Sequence, residues 1–250
     1  MARAIQDAIV LFGDSITEFA WDVEVSGFGA RLTNAYARKL DVINRGFSGY
    51  NTEWALPVLK QCLAPHEHRG RVPTVKLLVV WFGANDACDS PSVQHVPLDR
   101  YCDNIRAILD TVQSPESEFY SPATKVILIT PPPINTLQWD RDDFRRFENP
   151  RDYAEGLKVV GKERNVPVLD AWTPLWKAAG EDMKSLDRVL SDGLHLNAGG
   201  YKVFIIYDGL MGLIDEVYPQ LHYSRLQETF TLWGDVDPTN LADSLKRRTP

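Results

Sequence analysis

Ala8-Ile-Val-Leu-Phe-Gly-Asp-Ser-Ile-Thr17 begins as an unbroken apolar run and ends in a polar turn. Ala8–Phe12 reads as a strand, and Gly13-Asp14-Ser15 follows it with no spacer. Similar short runs recur at Val42–Asn44, Lys76–Phe82, Lys125–Thr130 and Val166–Asp170, separated by longer segments of helical period. Phe28–Lys39, Thr52–Leu63 and Leu98–Val112 are the intervening helices, the last placing Tyr101, Ile105, Ile108, Leu109 and Val112 on one face. Asn149 before Pro150 predicts a cap and first turn for a helix to about Arg164, and Asn197 caps a segment from Ala198 to Val217. Strand and helix in alternation predict a parallel sheet with helices on both faces, an α/β class.

The chain has 250 residues, 44% hydrophobic and 24% charged, enough for a substantial core. The net charge is −7, and Lys and Arg form no stripe for a polyphosphate, so nucleic acid is not an expected partner. Cys62, Cys88 and Cys102 are odd in number and irregularly spaced, which suggests neither a disulfide framework nor a zinc knuckle. The start lacks a long apolar core and no later segment is long and apolar enough to span a bilayer, so the expectation is a soluble cytoplasmic protein. Residues 1–217 are expected to form the main domain. Residues 218–250, with Lys246-Arg-Arg248 near their end, read as a partly helical C-terminal extension.

Reactive groups in an open parallel sheet gather beyond the carboxyl ends of the strands. Strand one runs into Gly13-Asp14-Ser15-Ile16-Thr17, strand two into Asn44-Arg45-Gly46-Phe47-Ser48-Gly49, and strand three into Gly83-Ala84-Asn85-Asp86. Asp192-Gly193-Leu194-His195 comes far downstream. A single Gly-Asp-Ser is weakly specific, whereas four ordered blocks, three of them directly after strands, are hard to produce by chance.

In this order the blocks resemble the SGNH (GDSL-type) serine hydrolases, from Gly13 to His195. Thr130-Pro-Pro-Pro-Ile134 and Leu190–Asn197 are most similar to the isoamyl acetate-hydrolysing esterase subgroup. The resemblance implies a three-layer α/β/α sandwich with a five-stranded parallel sheet in the flavodoxin-like order 2-1-3-4-5. It also implies cleavage of carboxylic esters through an acyl-Ser15 intermediate, small apolar esters such as short-chain acetates being favoured. Related esterases can form dimers, so a homodimer is carried over as an expectation.

The chemistry is consistent with that reading on its own terms. A serine hydroxyl needs a neighbouring base to attack an ester carbonyl, and an imidazole is suited to that work near neutral pH. His195 is the base, and Asp192 can turn back from the same loop to hold its Nδ1–H. The oxyanion needs fixed donors. The candidates are the backbone N–H of Ser15, the backbone N–H of Gly46, which no side chain obstructs, and the side-chain amide of Asn85. No cofactor or metal enters this mechanism. Asp14 is left to organise the loop through bonds to backbone N–H groups. Among Trp21, Phe47, Trp81 and Trp139, Phe47 is the expected substrate contact because it adjoins Gly46. The Pro131–Pro133 run predicts a stiff loop, and sequence does not decide whether it holds a cis bond.

Other enzymes fit less well. Binuclear metallophosphoesterases need several further histidines, and an aspartate-nucleophile phosphatase needs an acid where Ile16 stands. A flavodoxin-like binding module would have no reason to keep Ser15, Gly46, Asn85, Asp192 and His195 together. A sugar O-acetylesterase, a lysophospholipase or a thioesterase would share the same triad.

Overall fold

The computed structural model describes residues 6–68, 70–141, 144–202 and 206–248. Five strands, β1 (Ala8–Gly13), β2 (Asp41–Gly46), β3 (Val75–Trp81), β4 (Lys125–Ile129) and β5 (Val168–Leu169), form one sheet in the order 2-1-3-4-5. Every pairing is parallel, as the sequence predicts. The helices are α1 (Ser15–Glu18), α2 (Phe28–Ala35), α3 (Thr52–Cys62), α4 (Leu98–Gln113), α5 (Asn149–Arg164), α6 (Trp172–Ala178), α7 (Ala198–Lys202), α8 (Tyr207–Val217) and α9 (Leu241–Ser244).

The pleat of the strands explains the three layers, because successive side chains face opposite sides of a sheet. Ile9 and Leu11 of β1 join Leu77, Val79, Ile127 and Ile129 in a core covered by α1, α2, α6 and α8. Ala8, Val10 and Phe12 join Leu78, Val80, Val126 and Leu128 in a second core under α3, α4 and α5. The face expected on α4 is the buried one: Tyr101, Ile105, Ile108, Leu109 and Val112 are all 1% exposed or less.

Several element ends differ from expectation for local reasons. The strand expected from Val166 to Asp170 shrinks to two residues, and Pro167, which has no N–H, immediately precedes it. The helix expected to run from Phe28 to Lys39 stops at Ala35, and Arg38 follows at φ 66°. Asn149 does not cap α5. Its Nδ2 donates instead to Ala87 O and Asp89 Oδ1, tying α5 to the loop after β3. Asn197 does cap α7, accepting from Gly200 N. The single helix expected from Ala198 to Val217 is seen as α7 and α8, and positions 203–205 lie outside the described residues. Among the described residues the cis peptide is Ser90–Pro91, so the Pro131–Pro133 run is trans.

Residues 218–248 run back over the end of α2. Tyr36 Oη donates to Leu221 O (2.9 Å), Lys39 Nζ to Tyr223 O (2.7 Å) and Thr229 N to Arg38 O (2.7 Å). Leu221 packs into the core on that side of the sheet. No helix among the described residues is long and apolar enough to cross a membrane. β1 leads over one face to β2 and β2 returns over the other to β3, so a crevice opens beyond the ends of β1 and β3.

Candidate active site

β1 ends at Gly13, where a Cβ would lie 2.1 Å from Thr17 Oγ1 and 2.5 Å from Trp81 O. That lack of space lets α1 begin at once. Asp14 caps it, its Oδ1 accepting from Ile16 N at 2.9 Å. Ser15 therefore stands in the first helical turn, at the mouth of the crevice. Burial raises the Asp14 carboxyl to about 6, against the opposing pull of the Ile16 N–H and of the His195 and Arg145 charges.

His195 arrives from 180 residues away, its Nε2 2.8 Å from Ser15 Oγ. Its Nδ1 is 2.7 Å from Asp192 Oδ2. Asp192 uses the other oxygen to accept from Leu194 N and His195 N at 3.0 and 2.9 Å, which winds the loop back on itself. Half-burial of Asp192 opposes its ionisation. The bonds from the His195 ring and from the two backbone N–H groups, together with the imidazole charge, outweigh it and hold the carboxyl well below the usual range. Gly193 is required by its φ of 96° and by Asn135 O, 2.7 Å from where a Cβ would sit. The loop is pinned there, because Asn135 N donates to Gly193 O. Phe19 meets the His195 ring edge-on at 5.2 Å and the Trp139 ring lies 6.3 Å away, so the imidazole has two aromatic neighbours.

Asn85, 3% exposed, follows β3. Its Nδ2 donates to Tyr50 O (2.9 Å) and its Oδ1 accepts from Arg145 Nη2 (3.0 Å). Ser15, Asn85, Asp192 and His195 thus come together around one cavity of about 280 Å³.

Gly46 does not belong to that cavity. Its N–H donates to Asn44 Oδ1 at 2.8 Å, and its α-carbon is pressed against α1, where a Cβ would lie 2.0 Å from Glu18 N. The N–H expected to serve the oxyanion is therefore already used, and the glycine is needed for packing. Gly49, three residues on, does line the cavity and sits at φ 80°. The N–H groups of Ser15 and Gly49 have no hydrogen-bond partner among the described residues.

Phe47 also departs from expectation. It packs edge-on against Phe12 (6.2 Å) and beside Tyr50 (5.4 Å), on the core side rather than on the cavity. Trp81 is core, donating to Thr130 O, and Trp21 donates to Thr33 Oγ1. Of the four aromatic residues weighed, Trp139 reaches the cavity, joined by Phe19, Gln94, Arg141 and Arg145. Gly49 stood inside the second block. What separates it from Gly46 is the side-chain bond of Asn44, which residue spacing does not reveal. Arg145 carried no signal, since 60 residues of chain separate it from Asn85.

The sequence matches the GDSL-like Lipase/Acylhydrolase family over residues 11–203. It is 34% identical to the isoamyl acetate-hydrolyzing esterase of Saccharomyces cerevisiae, over 92% of this chain and 95% of the yeast one. A GDSL esterase/lipase of Arabidopsis thaliana is 36% identical over 78% of this chain and 81% of its own. Among solved structures, the lipase/acylhydrolase from Enterococcus faecalis superposes with a TM-score of 0.60 at 27% identity, covering 90% of this chain and all of that one. A carbohydrate acetylesterase family member from Sinorhizobium meliloti shares the fold, with a TM-score of 0.60 at 18% identity over 84% of this chain and 98% of that one. With its four blocks at one sheet edge and relatives matched over nearly their whole length, this chain belongs to the GDSL-like lipase/acylhydrolase family and is a carboxylic ester hydrolase.

Proposed function

We propose that Ser15 is the nucleophile, His195 the general base and then acid, and Asp192 the carboxylate that orients it. The observation carrying this reading is the continuous chain Ser15 Oγ–His195 Nε2 (2.8 Å) and His195 Nδ1–Asp192 Oδ2 (2.7 Å). Nε2 takes the Ser15 proton as Oγ attacks the ester carbonyl. The ionised Asp192 stabilises the resulting imidazolium, which returns the proton to the leaving alcohol. Water then repeats the sequence on the acyl-Ser15 ester. The oxyanion is met by the N–H of Ser15, the N–H of Gly49 and Nδ2 of Asn85. Gly49 replaces Gly46 in that set because it lines the cavity with its N–H unspent.

The substrate class is small carboxylic esters, short-chain acetates foremost. A cavity of about 280 Å³ is near the lower end of ligand pockets, which run from roughly 300 to 1,000 Å³. The relatives in yeast and rat that match over nearly this whole chain carry isoamyl acetate hydrolysis in their names. Among the described residues Cys62, Cys88 and Cys102 form no disulfide, and the compartment carried over from the sequence is the cytoplasm. Residues 1–217 carry the chemistry on this reading, and 218–250 are an extension, of which residues 218–248 prop the end of α2. A homodimer is carried over from the family resemblance, and light scattering of the full chain checks it.

The test is hydrolysis of p-nitrophenyl esters from acetate to long acyl chains by wild type and Ser15→Ala, with and without a chelator. The expected result is release that peaks at acetate or butyrate, is indifferent to the chelator and falls about a thousandfold or more in Ser15→Ala. A long-chain optimum would reassign the substrate to lysophospholipids or long-chain thioesters. Release that is unchanged in Ser15→Ala would remove Ser15 as nucleophile.

A further inference from the structure

We propose that Arg145 is a positioning residue for the oxyanion hole, fixing which end of the Asn85 amide faces the reaction and strengthening that end as a donor. This rests on the reading of Asn85 as an oxyanion donor.

An asparagine amide has two ends of nearly the same shape and opposite function. Turned by 180°, Asn85 would aim an acceptor oxygen at the oxyanion and repel the intermediate it is meant to hold. Two bonds decide the orientation. Tyr50 O, 2.9 Å away, requires the amino end on its side. Arg145 Nη2, 3.0 Å from Oδ1, requires the carbonyl end, because a guanidinium has donors and no acceptor. A flipped amide would set two oxygens against each other at Tyr50 and two donors against each other at Arg145. In the observed orientation one Nδ2 hydrogen is spent on Tyr50 O and the second is left for the cavity that Asn85 lines.

The guanidinium is itself held. Nη1 donates to Ala84 O, so one planar fork grips the backbone of residue 84 and the side chain of residue 85. The Arg145 backbone pairs with Cys88 in an antiparallel bridge, and Asp89 N donates to Phe144 O at 2.6 Å. The segment carrying Arg145 is therefore stitched to the loop that carries Asn85. The guanidinium also lies 5.1 Å over the Trp139 ring, whose centroid is 6.3 Å from that of His195. A cation bonded to an amide oxygen draws electron density away from its nitrogen, making the N–H a stronger donor. That gain is largest when the partner is a full oxyanion, so it lowers the transition state more than the bound ester.

A mere staple between loops would give a different kinetic pattern, and a double-mutant cycle separates the two. The variants are Arg145→Met, which keeps the stem, Asn85→Ala, and the pair, assayed on p-nitrophenyl acetate and titrated with a trifluoromethyl ketone that adds to Ser15. Asn85→Ala is expected to lower kcat about 100-fold or more. Arg145→Met is expected to lower kcat about tenfold to hundredfold with KM within a factor of about two, and to weaken the ketone by the same factor. In the Asn85→Ala background, Arg145→Met should then cost less than about threefold. Arg145→Lys keeps the charge without the fork and should fall between wild type and Arg145→Met, which preserves the test if Arg145→Met does not fold.

Equal losses from Arg145→Met in both backgrounds, or a loss confined to KM, would overturn the positioning role while leaving Asn85 in the hole. An undiminished kcat in Asn85→Ala would instead remove the reading of Asn85, and the role of Arg145 with it.

Discussion

A methyl group at Gly46 would lie 2.0 Å from Glu18 N and 2.4 Å from Glu18 Cα, backbone atoms that cannot swing aside. At Gly49 the nearest atom to such a methyl is the flexible end of Gln94, at 3.3 Å, and the obstacle is the φ of 80°. Holding an L-residue there costs about 1–2 kcal/mol. The two substitutions should therefore separate. Gly46→Ala is expected to lower the melting temperature sharply by forcing α1 off β2. Gly49→Ala is expected to lower kcat about tenfold or more at a modest cost in stability, through its displaced N–H. Thermal melts beside initial rates check this, and a larger kcat loss in a well-folded Gly46→Ala would return the oxyanion role to Gly46. At this scale the meeting of Ser15, Asn85, Asp192 and His195 around one cavity was legible, because each follows a strand or shares a short motif. Gly46 and Phe47, expected at the site, lie off the cavity that Gly49 lines, because the Asn44 side chain, not the spacing, determines which part of the second block faces it.

α1 has four residues, too few to be stable alone, since helices shorter than about 12–15 residues are marginal in water. It persists because both ends are tied. Asp14 caps its start, and Glu18 at its end accepts from Ser48 N and Ser48 Oγ, both at 2.7 Å, while Glu18 O accepts from Asn44 Nδ2. The helix that carries Ser15 thus grips the loop that presents Gly49. Glu18→Ala should loosen that loop and lower kcat roughly threefold to tenfold, because the bonds are charge-assisted yet exposed. Glu18→Gln, which keeps one acceptor oxygen, should recover most of the loss, and equal losses in the two variants would show that the grip is not what matters. Among the elements, runs of apolar residues bounded by turn residues made all five strands legible. Their ends depended on single residues, such as Pro167 before β5. Asn149, which has the identity and place of a cap, was drawn instead to Ala87 O and Asp89. Side chains with several available partners choose by tertiary position, which a local rule does not contain.

Across the molecule, the alternation of strand and helix carried the class and the family resemblance carried the strand order, whereas the seating of residues 218–248 on α2 was not readable. Their contacts are largely with backbone oxygens, which any sequence supplies. Nor did the sequence disclose that the sheet edge holding the site buries two carboxyls. Asp86, wholly buried, accepts from Thr52 N (2.9 Å) and from Thr52 Oγ1, which in turn accepts from Asn104 Nδ2, so it joins the loop after β3 to α3 and α4. Burial raises its carboxyl to about 7, against the lowering effect of the Thr52 bonds and with a further push from Asp14. In the unfolded chain the same carboxyl ionises near 3.9. Between pH 4 and 7 the native state thus keeps a proton that the unfolded state has released, so rising pH favours unfolding. Asp14, raised to about 6, adds to the same trend over a narrower range. Asp192, whose carboxyl is lowered, acts oppositely, and its stabilisation is lost as pH falls below about 4. Stability should therefore decline from about pH 5 to 7 with a slope of at most about 1.4 kcal/mol per pH unit for each raised carboxyl. Asp86→Asn keeps an oxygen for both Thr52 bonds and has no proton to lose. In urea melts at pH 5, 6, 7 and 8 its midpoint should fall less steeply than that of wild type and exceed it at pH 8. Parallel profiles for the two proteins would mean that Asp86 is ionised throughout that range and that its burial is offset by some other contact.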